Sequence, residues 1–290
     1  MKKYFIISLV IFQFSCTSQQ KPGNSMAPQL DKVRWNEKAV HPSIIWKWHY
    51  FEDLFNAKQY VNILDIDLND TLIKVDIGFQ EPALLPVHEI AEREKALVAT
   101  NGNFFHTEEG GSVCFFKKDG TVIDTSRTDL TERLFLTWLD DAAIAITKEQ
   151  RVKMINEPAE GWRSIDSLPT IFTGGPLLIQ NGTEVKQAVH GFNDKRFSRT
   201  GVGLTDRGHL IVIVVDGNSI ESAGMSIKEF TQLFKSLDCR TAFNLDGGGS
   251  STMWIKGQPD SGIVSHPTDN KKFDHYGERK VANALIIKLK

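Results

Sequence analysis

Leu210-Ile211-Val212-Ile213-Val214-Val215-Asp216-Gly217 and Thr241-Ala242-Phe243-Asn244-Leu245-Asp246-Gly247-Gly248-Gly249-Ser250-Ser251-Thr252-Met253-Trp254 bracket the part of the chain that decides the fold. Six consecutive apolar residues, Leu210 to Val215, predict a strand buried on both faces. Val202 to Leu204 and the turn Asp206-Arg207-Gly208 precede it and predict a hairpin. Ser226-Ile227-Lys228-Glu229 is a capping box: the serine hydroxyl serves a first-turn N–H and the glutamate reaches back. Ile227, Phe230, Leu233, Phe234 and Leu237 then share one helical face. Thr241 to Leu245 is the next strand. Strand, helix, strand in this order predicts a crossover to a parallel strand of the same sheet. Asp216 and Asp246 then lie at one sheet edge, where such sheets gather ligands.

Asp246 is followed by three glycines and two serines. Residues without side chains let backbone N–H groups approach an anion, and they allow positive φ. The loop is not a Walker A, because no Lys follows the glycines. It is not a nucleophile elbow, because GxSxG is absent. A turn-capping aspartate is the structural alternative for Asp246, and an ordinary strand-end turn is the one for Asp216-Gly217. Lys195-Arg196-Phe197-Ser198-Arg199 is a small basic cluster suited to clamping a phosphate. Asn101 and Asn103 end the short strand Ala96 to Thr100, as turn residues or polar ligands. His106 and His190 read as loop histidines. Trp46, Trp48 and Trp162 are expected in the core, with sugar stacking as the alternative.

Further strands flank this unit. Leu64, Ile66 and Leu68 alternate with polar residues, as do Ile73, Val75 and Ile77, which predicts a half-buried hairpin around Asp70-Thr71. Val113 to Phe116 and Thr121 to Ile123 flank Lys118-Asp119-Gly120, a second hairpin. Leu134 to Ile146 reads as β-structure, Arg151 to Pro169 as a variable loop, and Leu177 to Gln180 as a strand before the turn Asn181-Gly182. The expected fold is α+β: a mixed, largely antiparallel β-sheet with flanking helices and one parallel β-α-β crossover near the site.

The N-terminus carries a different signal. Lys2 and Lys3 precede the apolar run Tyr4 to Phe14, too short to span a bilayer as a helix. Ser15-Cys16 follows. Residues 1–16 resemble a lipoprotein signal whose cleavage leaves Cys16 lipidated, with an ordinary secretory signal as the alternative. Residues 17–40 are expected to be a flexible tether, residues 41–95 a β-rich N-terminal part, and 96–290 the catalytic domain. This organisation implies a bacterial cell-envelope protein, anchored to the membrane through lipid on its periplasmic or cell-surface side.

The 34 Lys and Arg against 36 Asp and Glu give a net charge of −2, and loss of Lys2 and Lys3 lowers it to about −4. That balance argues against a nucleic-acid partner, which needs a basic surface. Beyond Cys16 the chain has only Cys114 and Cys239, expected as two buried thiols, with a disulfide the less favoured outcome. No CxxC or HExxH spacing occurs, and nothing in the sequence requires a cofactor.

Seven segments, in order, are similar to the phosphodiester glycosidase family. They are Asn101-Gly102-Asn103-Phe104-Phe105, Gly174-Gly175-Pro176, Arg199-Thr200 with Val202-Gly203, Val214-Val215-Asp216-Gly217, Ser226 to Cys239, Asn244 to Met253, and Arg279 to Leu285. The resemblance covers about residues 96–290, and one departure is Asn103, where glycine is common. It implies hydrolysis of a sugar-1-phosphodiester at the anomeric carbon, with a glycan or sugar-phosphate as substrate. It also implies Asp246, Asp216 and Arg199 as catalytic groups. Asn101, Gly247, Gly248, Gly249, Ser250, Ser251 and Arg279 are the implied substrate contacts. Two other classes remain open. A phosphodiesterase could hold Mg²⁺ or Ca²⁺ with Asp216, Asp246, Asn101 and His106 and cleave P–O. A glycan-binding lipoprotein could use the same pocket without turnover.

Overall fold

The computed structural model describes residues 30, 32–80, 82–125 and 137–290. The signal segment, Cys16 and most of the expected tether lie outside them. The strands are β1 (Asn36–His41), β2 (Ile44–Phe51), β3 (Gln59–Asp67), β4 (Ile73–Phe79), β5 (Val98–Asn101), β6 (Phe116–Lys118), β7 (Thr121–Asp124), β8 (Ala142–Ile146) and β9 (Val152–Asn156). They continue with β10 (Thr170–Gly174), β11 (Leu177–Gln180), β12 (Thr183–Glu184), β13 (Arg199–Thr205), β14 (His209–Val215), β15 (Cys239–Asn244), β16 (Met253–Ile255) and β17 (Asn283–Leu289). The helices Val87–Arg93, Gly191–Asp194 and Ile227–Ser236 are short. The architecture is therefore mostly antiparallel β with few helices.

Three sheets form: β1-β2-β3-β14-β13-β15-β11-β12, β7-β6-β10-β8-β9, and β16-β5-β17-β4. The largest is built around β14. Its side chains alternate between two cores, as a period of two dictates. Leu210, Val212 and Val214 face a core shared by all three sheets. Ile211, Ile213 and Val215 face the Ile227–Ser236 helix. Ser226 and Glu229 make the expected reciprocal cap, and Phe230 and Phe234 press on β13. A Cβ on Gly201 would stand 2.7 Å from Phe230, and one on Gly203 would stand 2.6 Å from Cys239 Sγ and 2.8 Å from Phe234. These two glycines set how closely the helix sits.

Several expectations change. Every pair of named strands is antiparallel, so the predicted parallel pair is absent. The β13 strand lies between β14 and β15 and bonds to both. Both therefore end at the same sheet edge, but two strand spacings apart, about 10 Å. The expected hairpin at Asp70-Thr71 is also absent: β3 pairs with β2 and β14, whereas β4 pairs with β17 in another sheet. Alternation reports which face is buried and says nothing about the partner. Asn36–His41, all but its last residue inside the range read as tether, is an edge strand paired with β2; its exposed, polar composition hid it. The β6–β7, β11–β12 and β13–β14 hairpins form as expected. In the segment read as β from Leu134, Thr137–Asp140 is a 3-10 turn and β8 begins at Ala142. Cys114 and Cys239 are separate buried thiols.

Candidate active site

The start of β13 sits between the ends of β14 and β15. Arg199 is paired with Val215, the residue before Asp216, and Gly201 with Asn244, two before Asp246. Backbone bonds weld the three segments together. Leu245 N–H donates to Thr200 O at 2.8 Å, Asp246 N–H to Gly102 O at 3.1 Å, and Gly248 N–H to Ser198 O at 2.9 Å. The edge thus carries Asp216, Arg199, Asp246 and the glycine loop.

Asp246 is half-buried, and its Oδ1 accepts the Gly247 N–H at 2.8 Å. Desolvation pushes its carboxyl up to about 6, against the opposing pull of Ser250, the Gly247 N–H and the Arg279 charge. A carboxylate that titrates there can hold or release a proton near neutrality. Arg279 is held by Asp269, with Nε at 3.0 Å and Nη2 at 2.5 Å from Oδ1. That ion pair packs on Gly249, where a Cβ would meet Arg279 Nη2 at 2.5 Å.

The glycine loop differs from an open anion nest. Gly247 N–H is on Asp246, Gly248 N–H on Ser198, Ser250 N–H on Gly247 O and Ser251 N–H on Gly248 O. Only the Gly249 amide has no partner among the described residues. Gly247 and Gly249 are required by close packing, and Gly248 by its positive φ. The Ser251 and Thr252 hydroxyls are buried without a protein partner.

Asn101, an expected substrate contact, and Arg199, an expected catalytic group, are both bonded to backbone around the loop. Asn101 is fully buried. Its Nδ2 donates to Asp246 O at 2.8 Å, while its Oδ1 accepts Thr200 Oγ1 at 2.7 Å and Thr252 N–H at 3.1 Å. It clamps the loop from behind. Arg199 is 1% exposed. Its Nε donates to Met225 O at 2.9 Å, and Nη2 donates to Phe192 O at 2.5 Å and Lys195 O at 3.2 Å. The guanidinium also lies 4.6 Å from the Phe192 ring centre. Burial lowers its pKa to about 10. Of its three nitrogens only Nη1 lacks a bond among the described residues. Arg196 does not join a phosphate clamp, because its guanidinium is on Glu229 of the capping box.

Asp216 is 1% exposed and has a partner that sequence reasoning missed. Its Oδ1 accepts the His266 N–H at 2.9 Å, and its Oδ2 is 2.7 Å from His266 Nδ1. The His266 ring stacks on Phe273 at 3.9 Å and 7°, and Tyr60 meets it edge-on at 4.8 Å. Burial and the Asp216 charge push the Tyr60 phenol up to about 12. Asn283 was missed too: it accepts the Asn103 N–H at 3.0 Å and donates to Asn103 Oδ1 at 2.7 Å, fixing the turn after β5.

The remaining candidates are structural. Trp46 stacks on Trp48, and Trp162 Nε1 donates to Asp140 O. His106 accepts the Glu109 N–H and His190 caps Gly191–Asp194. Among the described residues no group of three or more His, Cys, Asp and Glu side chains could hold a metal ion. Asn101 and His106, proposed as ligands, are committed to the local bonds just given.

A family model described as phosphodiester glycosidase matches residues 94–288. The chain belongs to that family. The family's enzymes are glycosidases. Over 201 residues the chain is 28% identical to the bovine N-acetylglucosamine-1-phosphodiester alpha-N-acetylglucosaminidase, covering 63% of this chain and 35% of that protein. It is 26% identical over 219 residues to an uncharacterized SPbeta prophage-derived protein of Bacillus subtilis (strain 168), covering 69% and 33%. The chain thus spans about a third of the length of these curated relatives. The zebrafish N-acetylglucosamine-1-phosphodiester alpha-N-acetylglucosaminidase catalytic domain, solved auto-inhibited by its pro-peptide, superposes with a TM-score of 0.68 at 19% identity, covering 89% of this chain and 88% of that one. A hypothetical protein from Synechocystis gives 0.65 at 15%, covering 90% and 64%. At these identities the structural matches establish the family's fold in this chain.

Proposed function

We propose that this protein hydrolyses the anomeric C–O bond of a sugar-1-phosphodiester, releasing free sugar and a phosphomonoester. The observation that carries the reading is Asp246: a half-buried carboxyl titrating at about 6, beside Arg279 and behind a rigid glycine loop. Family membership supplies the reaction class. Above pH 6 Asp246 is ionised and takes the proton of a water attacking the anomeric carbon. The leaving group is already an anion-stabilised phosphate. Arg279 meets its charge, such a donor being worth about 2–4 kcal/mol in the transition state by analogy with oxyanion holes.

The N-terminal sequence supports export and lipidation at Cys16, which puts the catalytic domain at the surface of a bacterial envelope membrane. Turnover of a panel of sugar-1-phosphodiesters, followed by ³¹P NMR, tests the activity. Phosphomonoester and free sugar are expected. Equal turnover of a glycoside lacking phosphate contradicts the assignment.

A further inference from the structure

The geometry points to His266 as the acid that protonates the departing phosphate, with Asp216 as its positioning residue. This rests on the glycosyl-phosphodiester reading of the site. Asp216 spends both oxygens on one residue: Oδ1 on the His266 N–H and Oδ2 on its ring Nδ1, at 2.9 and 2.7 Å. A carboxylate 1% exposed and committed in this way is poorly placed to activate water. It can hold an imidazole in one tautomer, with the proton on Nδ1 and Nε2 left to exchange protons.

The surroundings of the ring fit that task. Phe273 covers one face, Tyr60 meets its edge, and His275 lies 4.4 Å away at a tilt. Rotation about the ring bond is therefore blocked. Nε2 has no hydrogen-bond partner among the described residues, while the side chain keeps 12% exposure. The ring is half-buried, so Nε2 can reach solvent or a ligand. The titratable groups facing the ring are Asp216 at the end of β14, Tyr60 from β3, and His275 from its own loop. The Tyr60 phenol, raised to about 12, stays neutral. His275 Nδ1 is 2.7 Å from Ser265 O and is occupied there.

The ring also stands at the right edge. Ser265 Oγ accepts the Met253 N–H at 2.8 Å, which ties the His266 loop to the strand that follows the glycine loop. Tyr60 precedes the family-matched segment, so β3 adds to this site from outside it.

The proton count closes. The anomeric C–O bond breaks and its electron pair goes to the phosphate oxygen, which takes the proton from His266 Nε2. Water forms the new C–O bond and gives its proton to Asp246. Solvent then returns that proton to His266.

The test is kcat/KM against pH for His266→Gln, Asp216→Asn and the double variant. Two substrates are compared, a sugar-1-phosphodiester and a sugar linked to a more acidic diphosphate. General acid catalysis is worth about 10²–10⁴-fold. Each single variant should lose rate in that range on the monophosphate diester and lose the alkaline limb of the profile. The deficit should shrink on the diphosphate, and the double variant should be no worse than His266→Gln. Nitrogen-15 NMR should find the proton on His266 Nδ1 in the wild type and a changed tautomer balance in Asp216→Asn. Thermal unfolding reports whether each variant is folded. A folded His266→Gln that keeps its alkaline limb, or additive losses, overturns the assignment. A wild-type protein inert on every diester overturns the underlying reading, and this one with it.

Discussion

Asp246→Asn should abolish turnover and stabilise the protein. Desolvation raises this carboxyl from 3.8 to about 6, so the folded state prefers the protonated form. The penalty is full above the folded pKa and vanishes as pH falls to the unfolded one. About two pKa units at about 1.4 kcal/mol each set an upper limit near 3 kcal/mol. The side chain keeps some contact with solvent, which brings the expected gain to about 1–2 kcal/mol. Asparagine removes the charge and keeps an oxygen for the Gly247 N–H. At about 2–4 °C per kcal/mol for a domain of this size, the melting temperature should rise by about 2–8 °C at pH 7.5. Scanning calorimetry at pH 7.5 and pH 3.5 reads the difference, which should be near zero at the lower pH. A variant less stable than wild type at pH 7.5, or equally stabilised at both, refutes the argument that desolvation sets this carboxyl.

Gly203→Ala puts a Cβ 2.6 Å from Cys239 Sγ and 2.8 Å from Phe234. Overpacking of this kind costs about 1–3 kcal/mol, and a denaturant midpoint should fall accordingly with an unchanged slope. Arg199→Lys replaces a fork bonded to Met225, Phe192 and Lys195 carbonyls with a single nitrogen. Buried acceptors left unmet cost about 1–3 kcal/mol each, so chemical denaturation should show a loss of at least that size. Turnover should fall more than substrate binding.

Local signals in the sequence were legible where one segment determined its own conformation. The continuous apolar run Leu210 to Val215, buried on both faces, and the Ser226–Glu229 cap both appear as read. Pairing between distant segments was not legible. Leu64–Leu68 and Ile73–Ile77 alternate like a hairpin, yet they serve different sheets. The expected parallel pairing of β14 with β15 does not form, because β13 lies between them and bonds to both. Asp246 stood out through its glycines. His266 did not, because its partner is 50 residues away and its loop has no periodicity. Arg199 and Asn101 both lie beside the glycine loop. Their burial against backbone carbonyls and loop amides is a property of packing that residue type does not carry.

The most direct test of the account is the bond broken. Hydrolysis of a sugar-1-phosphodiester in H₂¹⁸O should place the label on the anomeric hydroxyl of the released sugar and leave the phosphomonoester unlabelled by ³¹P NMR and mass spectrometry. Label in the phosphate would mean P–O cleavage and would contradict the assignment of Asp246 to attack at carbon.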